Sequence, residues 1–268
     1  MPEGPEIKLA TDFLNRYLEN KKILKFEILD GKYLKKKPLE NFELIEQDIT
    51  IEKVLCKGKF IYFRVLDSDV TIWNTFGLTG NWSLRKNKYA KFKVTNEDNK
   101  TIYYNDKLGY GTLKIVTSSK ELEKKLNSLG LDILNHKIKS SDYLQKIRNK
   151  TKKNDKEIGL LLMDQKLTAG CGNYIRADVL YLSKINPFKM SKDLSDEEIK
   201  LIWNNLQKVA FFNYNEKEGI KNNIFELNEL LEIAQAHIYN RENDAFNNEI
   251  EKKKLKDRTV HWCPNIQI

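Results

Sequence analysis

The chain has 268 residues, 40% of them hydrophobic, and carries a formal net charge of +9. That length allows two domains with cores of their own, no apolar run is long enough to span a bilayer, and the charged start lacks a signal-peptide pattern. Cys56, Cys171 and Cys263 form no CxxC pair, which suits a reducing intracellular setting, and the excess of cations favours a polyanionic partner, although a Lys-rich solvated surface explains the same charge.

Met1-Pro2-Glu3-Gly4-Pro5-Glu6 runs into Ile7, Ala10, Phe13, Leu14, Tyr17 and Leu18, whose spacing predicts an amphipathic helix over 5–18. Pro5 suits its first turn, with Gly4 as N-cap and Glu6 favoured by the helix dipole. Short runs rich in Ile, Val, Tyr and Phe then follow at Lys22–Leu29, Ile49–Leu55, Lys59–Leu66, Val70–Phe76, Tyr89–Thr95, Lys100–Tyr104 and Thr112–Thr117, with a Lys-rich loop around Lys35–Pro38. Strands so spaced predict a β-sandwich or barrel with the first helix packed on it.

The character changes near Ser118. Ser118-x-x-Glu121 and Ser195-x-x-Glu198 read as capping boxes, and helical patterns recur at 141–149, 156–166, 173–184, 195–212 and 224–237. Asn248–Leu255 and Arg258–Cys263 read as a basic hairpin turning at Lys256-Asp257. The expected fold class is α+β in two domains: an N-terminal β-sandwich with a leading helix over 1–135, and a helical domain over 136–240 followed by a hairpin over 241–268.

Two stretches carry chemistry. With Met1 removed, Pro2 presents a secondary amine, and an α-amino group of pKa about 7.7–8.0 is partly neutral and nucleophilic near pH 7. Condensed with a masked aldehyde, such an amine gives an iminium that keeps its charge and draws electrons from the neighbouring carbon, with Glu3 placed to move protons. The plain alternative is a well-capped helix start. In Leu162-Met163-Asp164-Gln165-Lys166-Leu167-Thr168-Ala169-Gly170-Cys171-Gly172-Asn173, a helix ends near Lys166, glycines expose backbone N–H groups, and Asn173 is placed to cap a helix suited to binding phosphate. An ordinary helical corner is the alternative there.

The opening string and this corner, in that order, resemble the formamidopyrimidine-DNA glycosylase/endonuclease VIII family. The resemblance implies that the processed Pro2 is the nucleophile and Glu3 an acid/base, with Glu6 supporting the site. It makes residues 162–178 a helix–two-turn–helix in which Lys166 and Asn173 hold phosphates around a damaged nucleotide. Lys57-Gly58-Lys59-Phe60 resembles the family's basic strand start, so Lys59 would contact phosphate and assist elimination. Gly77-Leu78-Thr79-Gly80 resembles a loop whose Leu78 would enter the space left by an extruded base. In Asp106-Lys107-Leu108-Gly109-Tyr110-Gly111, Tyr110 stands where an aromatic wedge is expected, while Gly109 replaces an Arg that reads the orphaned base. Asp178 replaces a Glu.

Arg258 matches an arginine that reaches the lesion phosphates from the family's finger. That finger commonly holds zinc through two Cys pairs, but here Cys263-Pro264-Asn265-Ile266-Gln267 keeps one Cys and Asp244–Asn248 supplies none. Counting His261 and His237, the donors fall short of the about four that structural zinc needs, so no metal and no cofactor is expected. The hairpin and the opening Pro-Glu-Gly-Pro-Glu-Ile resemble the endonuclease VIII-like branch with a zincless finger, which prefers oxidised pyrimidines and ring-opened purines. The implied function is a bifunctional DNA glycosylase/AP lyase acting as a monomer on damaged double- or single-stranded DNA. The competing classes are a non-catalytic nucleic-acid-binding protein on the same scaffold, and a zinc-dependent transcription factor, which the missing ligands disfavour.

Overall fold

Helix α1 (Gly4–Leu18) buries Ile7, Leu14 and Leu18, residues three to four apart in register on one face. The structure, a computed structural model, describes residues 2–35, 38–218 and 226–268. Within them the chain parts into two compact units: Glu6–Ser128 with Pro2, and Leu129–Ile268 with Glu3–Pro5.

The first unit holds the strands β1 (Lys21–Ile28), β2 (Ile49–Lys57), β3 (Phe60–Val65), β4 (Thr71–Thr75), β5 (Asn81–Ser83), β6 (Ala90–Asn96), β7 (Thr101–Asn105) and β8 (Thr112–Val116), with a four-residue helix α2 (Lys32–Lys35). They form one antiparallel sheet in the order β5-β7-β6-β1-β2-β3-β4-β8. Alternation explains β6, where Ala90, Phe92, Val94 and Asn96 turn inward. Nearly all of Phe60–Val65 is buried, as befits a strand covered on both faces.

The two ends of the sheet meet. Trp82 on β5 donates its indole N–H to Asn74 Oδ1 on β4 at 3.0 Å and packs on Phe63 of β3, and the Tyr104 hydroxyl on β7 donates to the Thr75 carbonyl of β4 at 3.3 Å. The sheet therefore rolls over a shared core, the two-layered β architecture expected. Helix α1 is pinned to it by Asn15, whose amide exchanges hydrogen bonds of 2.9 and 2.8 Å with the backbone of Val54. Helix α3 (Ser119–Ser128) closes the unit.

In the second unit, the two-residue strands β9 (Leu131–Asp132) and β10 (Thr168–Ala169) pair in parallel. Helices α4 (Ser140–Lys153), α5 (Ile158–Leu161), α6 (Asn173–Leu182), α7 (Asp196–Glu218) and α8 (Leu227–Gln235) enclose a core in which Tyr143 stacks on Trp203 with ring centroids 4.8 Å apart. The capping box at Ser195 forms as expected: the Ser195 amide donates to the Glu198 carboxylate at 2.7 Å, and the Glu198 amide donates to Ser195 Oγ at 3.1 Å. β11 (Glu251–Leu255) and β12 (Arg258–Trp262) make the expected hairpin, with Leu255 opposite Arg258 and Lys256 at φ 56° in the turn. Among the described residues no helix is long and apolar enough to cross a membrane.

One expected helix is much shorter. The apolar pattern at 156–166 yields a helix only over Ile158–Leu161, because Asp164 breaks it: its side chain accepts the Lys166 amide at 2.9 Å and its carbonyl those of Leu167 and Thr168 at 2.8 Å. The Lys-rich loop expected around Lys35–Pro38 and the start of the helix expected at 224–237 lie partly outside the described residues.

Candidate functional site

Glu3 is the most tightly placed of the residues expected to carry chemistry. It is 1% exposed. Its carboxylate accepts the amide of Tyr174 at 3.0 Å and that of Ile175 at 3.3 Å, both in the first turn of α6. The orphan N–H groups of a helix start and its positive dipole end favour an anion there. Sequence reasoning gave this capping role to Asn173. Instead Gly172 is the N-cap residue, and the acceptor comes from Glu3. Asn173 is the first residue of α6, and its buried Oδ1 has no hydrogen-bond partner among the described residues.

The chain start and the helical corner are joined by backbone as well. The Gly4 amide donates to the Gly170 carbonyl at 2.9 Å, and Gly170, at φ 102°, adopts a conformation open chiefly to glycine. Gln165 braces the corner: its Nδ-type amide nitrogen, Nε2, donates to the Cys171 carbonyl at 2.8 Å, and its Oε1 accepts the Gly170 amide at 3.0 Å. Lys166 is exposed in the Asp164 turn. Pro2 is half-buried, and Glu6 lies in the first turn of α1.

In the first unit Lys59 follows Gly58, at φ 57°, in the two-residue turn between β2 and β3, half-buried at the hairpin tip. Leu78 and Tyr110 stand on two loops that the structure brings together. A Cβ on Gly77 would lie 2.8 Å from the Tyr110 backbone carbon, so only glycine permits the approach. The Thr79 hydroxyl donates to the buried Asp106 carboxylate, which also accepts the Gly111 amide at 2.7 Å.

Arg258 opens β12, its side chain 46% exposed. The next residue is gripped by Arg176, which sequence reasoning passed over. Arg176 is fully buried on α6 and donates to the Thr259 carbonyl at 2.7 Å and to the Gly159 carbonyl at 3.4 Å, joining α6 to the hairpin. Burial pushes its guanidinium below the usual value. A lone charge in the apolar run Ile175–Leu182 was the available signal. Asp178, two residues on, is also buried; it accepts His237 Nδ1 at 2.8 Å and the Ile238 amide at 3.0 Å. The hydrogen bond from Asp178 raises the His237 pKa above its usual 6.5.

The hairpin's donor set does not fit a structural zinc ion. Where a second ligand pair would be needed, the Asp244 carboxylate accepts the amides of Phe246 and Asn248, the Asn248 side-chain amide and the Tyr181 hydroxyl, at 2.8 to 2.9 Å. Burial pushes the Cys263 thiol up, opposite to what a thiolate ligand requires. Its amide donates to Gln267 Oε1 at 2.7 Å. Hydrogen-bonded turns do there what metal does in a zinc finger.

Residues 1–113 match the formamidopyrimidine-DNA glycosylase N-terminal domain and residues 129–221 the formamidopyrimidine-DNA glycosylase H2TH domain, together well over half the chain. The formamidopyrimidine-DNA glycosylase of Ligilactobacillus salivarius is 27% identical across 100% of this chain and 99% of its own length. That of Prochlorococcus marinus is 31% identical across 67% of this chain and 63% of its own. In fold, the Lactococcus lactis formamidopyrimidine-DNA glycosylase, solved non-covalently bound to DNA containing an AP site, is similar with a TM-score of 0.79, 22% identity and 99% of each chain covered. Two domain matches in chain order, full-length relatives and a full-length fold match agree, and the chain belongs to the formamidopyrimidine-DNA glycosylase/endonuclease VIII family.

Proposed function

We propose that the protein is a bifunctional DNA glycosylase/AP lyase of base excision repair. The single observation that carries this reading is Glu3, buried and held on the first turn of α6 immediately after Pro2. A carboxylate fixed so firmly is pre-oriented for proton transfer beside an amine that becomes free when Met1 is removed.

The reaction proceeds in three stages. Lys59, Lys166, Asn173 and Arg258 bind DNA phosphates, while Leu78 and Tyr110 fill the gap left by the displaced nucleotide. Extruding a base costs a few kcal/mol, and less for a damaged pair, which favours lesions. The neutral Pro2 nitrogen then attacks C1′ of the deoxyribose, and the base departs with the electrons of the glycosidic bond. Glu3 delivers a proton to the ring oxygen as the sugar opens, leaving an iminium between Pro2 and C1′. The iminium acidifies C2′–H; loss of that proton forms the C2′=C3′ bond and expels the 3′ phosphate, with Lys59 offsetting its charge. A second elimination releases the 5′ phosphate, and water frees the enzyme. Glu6 supports the site from the first turn of α1.

The substrates are oxidised pyrimidines and ring-opened purines. The hairpin held by hydrogen bonds rather than by metal supports placement in the endonuclease VIII-like branch. A panel of duplexes bearing oxidised pyrimidines, ring-opened purines, hydantoins and 8-oxoguanine tests this with Met1-processed protein. Excision should be greatest for the first two classes, and no excision from any duplex overturns the enzymatic reading. Glu3→Gln should lose excision more than it loses cleavage at a pre-formed abasic site; equal loss contradicts the role given to Glu3.

A further inference from the structure

Leu108 has no assigned role, yet it projects from the same braced pair of loops as Leu78 and Tyr110. The three side chains are 43% (Leu78), 48% (Leu108) and 63% (Tyr110) exposed. Single exposed leucines are common, but three large apolar groups on two interlocked loops form a patch that calls for an occupant. The loops hold their shape from the polar side: the Leu108 amide donates to Thr79 Oγ1 at 3.0 Å, and Asp106 ties both ends of its own loop to Thr79.

Cations surround this patch. Lys107 is exposed beside Leu108, and Lys32 Nζ donates to the Gly111 carbonyl at 2.9 Å. Asn105, next to Asp106, accepts the Asn87 amide at 3.3 Å and donates to the Arg85 carbonyl at 3.3 Å, fixing a loop with exposed Arg85, Lys86 and Lys88. Apolar wedges flanked by cations suit an opened DNA duplex, with side chains between base steps and ammonium groups on phosphates. Reading a base edge requires fixed donors or acceptors, and neither leucine has any.

We infer that Leu108 completes, with Leu78 and Tyr110, an apolar wedge that props the duplex open without reading the base left opposite the lesion. This rests on the function proposed above and adds its specificity. An opposite base read by a well-formed side-chain pair is discriminated by about tenfold or more.

The test uses duplexes carrying a natural abasic site, or its uncleavable tetrahydrofuran analogue, opposite A, C, G or T, and the same abasic strand unpaired. Wild-type nicking rates and analogue affinities should agree within about threefold across the four duplexes. Leu108→Ala should slow duplex nicking about tenfold relative to the single strand, since only the duplex must be held open. Leu108→Arg, which adds a donor, should create an opposite-base preference. A wild-type spread of tenfold or more, or equal slowing of duplex and single strand by Leu108→Ala, overturns the inference while borohydride trapping still upholds the enzyme. Neither trapping nor preferential binding of the analogue overturns both.

Discussion

Gly172→Ala isolates the contact that positions Glu3. A Cβ at residue 172 would lie 2.2 Å from Glu3 Cδ, 2.2 Å from Oε1 and 2.6 Å from Oε2, against 3.4–4 Å for ordinary contact. The Gly172 backbone, at φ −136° and ψ −158°, is open to any L residue, so the substitution acts through this collision and not through strain. The carboxylate must leave its seat and forfeit the amides of Tyr174 and Ile175. A hydrogen bond to a charged group contributes about 1.5–3 kcal/mol, and two on one carboxylate are not additive, giving a loss of about 2–4 kcal/mol. Opposing it, replacing glycine restricts the unfolded chain and stabilises by about 0.4–1 kcal/mol. The collision wins, and the urea midpoint of the helical unit should fall by about 1–2 M. Single-turnover excision should fall further than stability predicts, because displaced Glu3 no longer meets the sugar. Wild-type stability together with wild-type excision would refute the role of this seat.

Arg258→Ala should weaken DNA binding and shrink the salt dependence of log K by about one phosphate contact, a slope change of about 0.9, while folding stability stays within about 0.5 kcal/mol. Unchanged affinity and slope would return Arg258 to a surface role. Because Asp178 raises the His237 pKa above 6.5, the charged pair contributes stability that is complete below that pH and lost as pH rises through the raised value. The urea midpoint of the helical unit should therefore decline from pH 6 towards pH 8 in the wild type and lose that slope in His237→Gln. A flat wild-type profile would contradict the pairing.

Much of this was legible in the sequence, for physical reasons that also mark its limits. The long strands announced themselves by alternation, as in Ala90–Asn96, and the hairpin by Lys256-Asp257 between two basic runs. β5 did not, since Asn81–Ser83 is too short to show a period. The helix at 158–161 was overextended because apolar spacing continues through Leu162, while the Asp164 side chain ends it by a bond that periodicity does not register. The cap of α6 was misassigned for a related reason. Local pattern offers Asn173, but the acceptor lies 171 residues away in sequence at Glu3. Arg176 and Leu108 were visible as residues but not as neighbours: their significance comes from Thr259 and Thr79, partners that only the folded chain supplies.

The most direct measurement is to reduce Met1-processed protein with borohydride on abasic-site DNA, digest it, and locate the modified residue by mass spectrometry. The adduct should map to the nitrogen of Pro2, persist at lower yield in Pro2→Gly, and vanish when the N-terminal amine is acetylated. An adduct on a lysine with Pro2 unmodified, or no adduct at all, would contradict the central claim.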